Sequence, residues 1–510
     1  MVAKIKTFAL LGTEIIDVNV EVKLSSGIVA FNIVGLPDKI VNEAKERIRA
    51  SINSIGLSFP VKRLIVNLNP ADVSKEGSYL DLPMAIGILI EMGIIPQEKI
   101  NKYVVVGELS LDGALNKVNG ILPVALGAKE RGLGIICPKC CAKEALWVDE
   151  NIDIVAVDDL LTLINYLNGR CEIEKPTINR KMDDTNYPDL KDVYGQRQGK
   201  RALEIAAAGG HNLLMIGPPG TGKSMLAQRI LGILPELTAK EILEINIMKS
   251  ISSGLNNGEL VNKRPFLDPH HSCSMPAMVG GGSKSKPGQI SMAHNGILFL
   301  DELPEFSRQV LDSLRQPLET GKITVARAAQ SITYPAEFQL IGAMNPCRCG
   351  HYGDVEKQCK RAPFCAQEYQ NKISGPILDR FDITVDIPKI DIFKEKAKAV
   401  NNETSAVVKK RVDVARQMQI ERYKDSKTNH RMLNAYASND EIGKYMKLDD
   451  KCENVIMLAN QVFNLSLRGY NKIIKVARTI ADLEQSENIT ENHVREALMF
   501  KETEFLSVNK

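Results

Sequence analysis

Apolar and polar positions follow one another along this chain in three textures. Up to residue 168, short β-like runs are interleaved with helical ones. Ile28-Val29-Ala30-Phe31-Asn32-Ile33-Val34 and Leu64-Ile65-Val66-Asn67-Leu68 predict strands, whereas apolar residues between Asn42 and Ile55 recur at helical spacing. Residues 169–190 lack a periodic face; Glu172, Lys175, Pro176, Arg180, Lys181, Asp183, Asp184 and Pro188 read as an exposed linker. From 191 to 390 strands and helices alternate, as in an α/β sheet. From 391 to 510 strand-like runs vanish and amphipathic helices take over, for example Asn454 to Phe463 and Asn471 to Leu483. No repeat of solenoid period is present.

Composition narrows the class. With 510 residues, 44% hydrophobic and 25% charged, the chain is long enough for three or four globular units and is neither fibrous nor disordered. Lys+Arg 65 against Asp+Glu 62 leaves a net charge of +3, so any nucleic-acid footprint must be local. The best apolar run, Leu82 to Ile95, is short for a membrane span and is broken by Glu91. The apolar stretch from Phe8 to Leu11 is too short for a signal sequence. These features predict a cytoplasmic protein whose ten cysteines are free thiols or metal ligands.

Gly217-Pro218-Pro219-Gly220-Thr221-Gly222-Lys223-Ser224 fits G-x-x-x-x-G-K-[ST] in full. It follows the apolar run Asn212 to Ile216 and precedes a helical stretch from Met225 to Leu234. Glycines there let backbone N–H groups turn toward an anion, and a helix N-terminus adds partial positive charge. Lys223 would reach the β- and γ-phosphates of ATP, and Ser224 would hold Mg²⁺. Downstream, Gly296-Ile297-Leu298-Phe299-Leu300-Asp301-Glu302 is a strand ending in two carboxylates. Asp301 would help hold Mg²⁺, directly or through its waters. Glu302 would orient or deprotonate the attacking water. A third strand, Phe338 to Met344, ends in Asn345, an amide suited to bonding the lytic water or the γ-phosphate.

With these parts in order, the chain resembles the AAA+ ATPases and, more narrowly, the magnesium-chelatase-like YifB/ComM family. Further stretches carry the resemblance: Gly195-Gln196, Arg264-Pro265-Phe266, Pro269-His270-His271, Ala293-His294-Asn295, Leu314-Arg315-Gln316-Pro317-Leu318-Glu319, Ser374-Gly375-Pro376-Ile377-Leu378-Asp379-Arg380 and Ala477-Arg478-Thr479. The resemblance implies an AAA+ P-loop domain over 191–390 with a helical lid over 391–510, preceded by a Lon-protease-like α+β domain over 1–168. It implies a homo-hexamer with ATP between subunits. Gln196 then begins the adenine pocket, and Arg380 matches an arginine finger reaching the neighbour's γ-phosphate, where a planar cation suits the spread charge. A salt bridge to Asp379 or Asp382 is the plainer use of Arg380. Arg468 matches the sensor-2 position, which would report nucleotide state by closing the lid. The implied activity is a helicase or branch-migration motor on single-stranded or branched DNA, serving recombination of imported DNA. The alternative is a magnesium-chelatase-type ATPase that remodels a metal-inserting partner.

Two segments look suited to substrate. Gly280 to Gly288 is a basic glycine loop carrying Lys284 and Lys286, and Thr320-Gly321-Lys322 reads as a hairpin turn between Leu318 and Ile323-Thr324-Val325. The chain departs from the family's pattern at Leu267 and Gln289, outside the hydrolysis set.

Cys347, Cys349, Cys359 and Cys365 crowd one insertion, 347–365, between Asn345 and Arg380; four close thiols suit tetrahedral Zn²⁺, with His351 in reserve. Cys137 and Cys140 form a lone C-x-x-C and read as structural. In the N-terminal region a Lon-type peptidase would need a serine and a lysine. The corresponding positions read Asp81 and Leu122, and Ser78 is the only small hydroxyl nearby, so a scaffold or DNA-guiding domain without peptidase activity is expected.

Overall fold

The structure is a computed structural model that describes residues 2–73, 75, 77–177, 187–255, 258–281, 286–326, 331–352, 359–391 and 402–501. Lys284 and most of the linker's charged run fall outside these residues.

The N-terminal part is built on a seven-stranded sheet. Its strands are β1 (Ala3–Leu11), β2 (Glu14–Ser25), β3 (Ala30–Val34), β4 (Arg63–Asn69), β5 (Tyr103–Val105), β6 (Gly134–Pro138) and β7 (Ile154–Val157), in the order β3-β4-β2-β1-β5-β6-β7. β1, β2 and β4 pair antiparallel; the remaining pairs are parallel. The third strand begins at Ala30, two residues later than the apolar run suggests. Ile28 and Val29 are 90% and 54% exposed on the turn that follows Gly27. Helix α1 (Lys39–Ser54) starts where the Asp38 carboxylate accepts from Val41 N at 2.7 Å, and it buries Val41, Ala44, Ile48 and Ile52. Helix α2 (Asp81–Glu91) is apolar all round and lies within the core.

The second sheet carries the phosphate loop. Helix α3 (Arg197–Gly209) leads into β8 (Leu213–Ile216), and α4 (Lys223–Arg229) follows the loop. The remaining elements are α5 (Ala239–Ser253), β9 (Phe266–Leu267), β10 (Ile297–Leu300), α6 (Arg315–Thr320), the hairpin β11 (Lys322–Ala326) and β12 (Ser331–Pro335), β13 (Gln339–Met344) and β14 (Ile383–Asp386). The sheet order is β9-β10-β13-β8-β14, parallel throughout, with Ile216 beside Met344 and Leu300 beside Gly342. Both neighbours of β8 come from far along the chain, so a crevice opens at its carboxyl end, where ligands bind in such sheets.

The hairpin corrects the sequence reading. Leu318 is helical, and Thr320-Gly321 turns α6 into β11; the strand that pairs with 322–326 is 331–335. Lys322 therefore sits at the base of the hairpin rather than at its tip.

The C-terminal helices share a core with this sheet. Helices α7 (Ser405–Tyr423) and α8 (Leu467–Leu483) pack on α3, and Val408, Val412, Ala415, Ile473 and Ile480 join Ala202, Leu203 and Ile205 in one buried cluster. Asp482, fully buried on α8, is paired by Arg422 and Arg478 and accepts from Asn434 Nδ2. The N-terminal part is tied to the second sheet through α5 and the segment that follows it. Gly120 N donates to Ser250 O at 3.0 Å, Lys117 Nζ to Leu255 O at 2.8 Å and Trp147 Nε1 to Gly258 O at 2.8 Å. Among the described residues no helix is long and apolar enough to cross a membrane.

Candidate active site

Three parallel strands deliver the site. Residues 217–224 leave β8, Asp301 and Glu302 leave β10, and Asn345 leaves β13, all at the same edge of the sheet. The loop crosses the end of β14 so closely that a Cβ at Gly217 would stand 2.2 Å from Ile387 O; only glycine fits. Thr221 Oγ1 donates to Pro218 O at 2.9 Å and closes the turn. Gln196 is buried and donates from Nε2 to Thr221 O at 3.3 Å and Pro388 O at 2.8 Å, joining the loop to the segment after β14.

Lys223 Nζ donates to Gly217 O at 2.7 Å, Pro218 O at 2.9 Å and Asn345 Oδ1 at 3.2 Å. Burial brings its pKa down to about 8, with Asp301 and Glu302 opposing the fall. Ser224 Oγ donates to Asp301 Oδ2 at 2.6 Å. A hydroxyl and a carboxylate oxygen thus meet at one point beside the loop, the donor set a hard divalent cation takes. Glu302 has a left-handed backbone, φ 53°, and a half-exposed carboxylate that is free to meet a substrate water.

Sequence reading gave no role to the residues facing Glu302. His271 Nδ1 lies 3.5 Å from Glu302 Oε2, its ring 4.1 Å from that of His270 and tilted to it by 33°. Burial, then the Asp301 charge, raise Asp268 above the usual carboxylate range. The signal was present in the sequence: three polar residues around one proline, Asp268-Pro269-His270-His271, between two strands.

Arg380 and Arg468 lie elsewhere. Arg380 O accepts from Asn212 Nδ2 at 2.9 Å, and Asn212 directly precedes β8. Arg380 is therefore at the amino edge of the sheet, opposite Lys223. Its partner is Glu319, rather than Asp379 or Asp382. Arg468 Nη2 stands 3.5 Å from the same Glu319 oxygen. α8 sets Arg468 beside Arg380, at the far edge of the sheet from Lys223.

The four sulfurs of Cys347, Cys349, Cys359 and Cys365 all lie within 4.8 Å of one another. Tetrahedral Zn–S bonds of about 2.3 Å place sulfurs about 3.8 Å apart, so the set fits Zn²⁺. The thiol turn abuts the phosphate loop, since a Cβ at Gly350 would stand 2.6 Å from Pro219 Cδ. His351 takes no place in the sulfur cluster.

In the N-terminal part, Asp81 is fully buried against Arg47, with Arg47 Nε to Oδ2 at 2.7 Å and Nη2 to Oδ1 at 2.9 Å. Leu122 is buried, and Ser78 Oγ pairs with Glu108. No serine–lysine pair stands at the positions the Lon resemblance indicates. Lys286 Nζ is engaged by Ser252 O at 2.7 Å.

Comparisons with known proteins agree along the chain. Residues 189–395 match the family described as magnesium chelatase, subunit ChlI; residues 20–140 match subunit ChlI of Mg-chelatase, and 402–501 match its C-terminal family. The YifB protein of Escherichia coli (strain K12) is 42% identical, over 99% of this chain and 98% of its own length. The competence protein ComM of Haemophilus influenzae is 43% identical, over 97% and 96%. The magnesium-chelatase 38 kDa subunit of Rhodobacter capsulatus is 23% identical over 59% of this chain and 83% of its own length.

Proposed function

The chain belongs to the YifB/ComM family of magnesium-chelatase-like AAA+ ATPases, and from that premise we propose that it is an ATP-driven ring motor, a helicase or branch-migration enzyme acting on single-stranded or branched DNA in recombination of imported DNA. One observation carries the reading. The groups that grip and split a triphosphate converge at one edge of the sheet, whereas Arg380 and Arg468 are fixed at the other. Such a protomer has both halves of a site and brings them together only with neighbouring copies, as a closed ring does.

In this reading Lys223 and the loop N–H groups hold the β- and γ-phosphates. Ser224 and Asp301 would hold Mg²⁺, which when bound neutralises phosphate charge. Glu302 orients water toward the γ-phosphorus and accepts its proton, while His271 supports the Glu302 carboxylate. Asn345 fixes Lys223 and reaches the γ-phosphate. Arg380 and Arg468 of the next copy meet the charge that spreads over the transferred group. ADP and inorganic phosphate leave. The thiol cluster would hold Zn²⁺ as a clip beside Pro219. The Lon-like domain acts as a scaffold, with Asp81 where a nucleophile would stand. The β11–β12 hairpin is the element offered to DNA.

The test is ATP hydrolysis with and without forked DNA, together with unwinding of a branched substrate. Stimulation and unwinding are expected; their absence across a range of salt overturns the DNA reading. The likeness to the magnesium-chelatase subunit favours a second reading, remodelling of a metal-inserting protein. Stable capture of a large porphyrin-binding subunit, with no response to DNA, would select it.

A further inference from the structure

Arg380 and Arg468 come from separate segments, the turn before β14 and the first turn of α8. Both nevertheless give Nη2 to a single oxygen, Oε1 of Glu319. Two guanidinium groups side by side repel. Burial lowers the Arg380 pKa and the Arg468 charge lowers it further, while Glu319 opposes both. Glu319 itself sits at the C-terminal end of α6, where a helix disfavours a carboxylate, so the arginines account for its placement. The grip is partial. Arg380 is only 10% exposed, yet its Nε and Nη1 have no partner among the described residues. Both atoms are shielded from solvent, while Arg380, Arg468, Lys472 and Lys475 line a cavity of about 570 Å³, the last three from one face of α8. Lys472 Nζ donates to Phe381 O at 2.7 Å, which locks α8 to the Arg380 segment.

We propose that Glu319 is a positioning residue: one carboxylate holds Arg380 and Arg468 as a pair, each by a single nitrogen, and so sets the two cations at the cavity where the terminal phosphate of a nucleotide bound by a neighbouring copy docks. The proposal rests on the reading that Arg380 serves a neighbour's site. Without the carboxylate the two cations separate, and a planar fork aimed at phosphate loses its aim. The nucleotide itself is held by a different copy, so its binding is untouched.

Glu319→Gln is expected to lower kcat about 10- to 100-fold, the effect of a misplaced catalytic group, with KM for ATP unchanged. Glu319→Asp keeps the charge and is expected to recover part of the rate. Glu319 is half exposed, so both variants should melt with the parent. The decisive arm is co-expression of Glu319→Gln with Lys223→Ala, each separately tagged. A Glu319→Gln loop beside the intact arginines of a Lys223→Ala copy makes a complete site, so mixed rings are expected to regain turnover that neither variant has alone. No recovery in mixed rings, or a parental kcat for Glu319→Gln while Arg380→Ala is slow, overturns the role of Glu319 and leaves the motor reading standing. A parental rate for Arg380→Ala overturns the reading beneath it.

Discussion

Ser224 Oγ donates to Asp301 Oδ2 at 2.6 Å, although β8 and β10, the strands that carry them, are not neighbours. β13 lies between, and the phosphate loop bends across its end to make the contact. The hydroxyl and carboxylate are thereby set as one pair for a divalent cation. Asp301→Asn keeps the shape and removes the charge. ATP turnover should fall about a hundredfold or more, with the Mg²⁺ requirement shifted to higher concentration. A Mg²⁺ titration of steady-state hydrolysis measures both; an unchanged titration removes Asp301 from the site.

Glu302 is free to meet water because its carboxylate is half exposed and held only loosely by His271. Glu302→Gln should retain ATP binding and lose about 10²- to 10⁴-fold in kcat, the range for a positioned base. Equilibrium nucleotide binding alongside turnover separates the two effects. A variant that binds no ATP would give Glu302 a structural role.

The legible parts of the site are those that depend on local chain order. The phosphate loop needs its glycines, lysine and serine in one run, and Asp301-Glu302 needs only an apolar strand before it. Pairings over long separations were not legible. Arg380 and Glu319 are 61 residues apart, and nothing in either segment announces the other. The hairpin was found but given the wrong partner, because Thr320-Gly321 serves equally as a helix end and as a hairpin turn. Cysteine spacing suggested a metal clip, but it could not tell that Gly350 rests on Pro219. Nor does the sequence show that packing of α8 on α3 sets Arg468 beside Arg380.

That contact of Gly350 with Pro219 makes the thiol cluster consequential for nucleotide. Purified protein should carry about one zinc per chain, the content of a four-thiolate site. Cys349→Ser or Cys365→Ser should remove the metal, lower the melting temperature and raise KM for ATP. Elemental analysis with thermal melts provides the check. Metal-free protein of parental stability would mean that the thiols are free.

In the N-terminal part, Arg47 and Asp81 form a pair that burial makes costly. Burial holds Asp81 above the usual carboxylate range in spite of Arg47. Arg47→Ala should destabilise this part by about 3 kcal/mol, because it leaves a buried carboxylate alone. Asp81 then rises further, so the folded form binds a proton that the unfolded chain has released. The loss should therefore grow as pH rises from about 4 toward neutrality. The double variant Arg47→Met/Asp81→Leu should recover most of it. Chemical denaturation at several pH values gives the result; equal losses at all pH values would contradict the assignment.

The central claim is that a triphosphate is gripped by Lys223 and split at Glu302. The most direct measurement is steady-state ATP hydrolysis by Lys223→Ala beside the parent, in the presence of forked DNA. Loss of turnover by about a hundredfold or more is expected when the lysine that meets the β- and γ-phosphates is gone. Turnover equal to the parent would contradict the account.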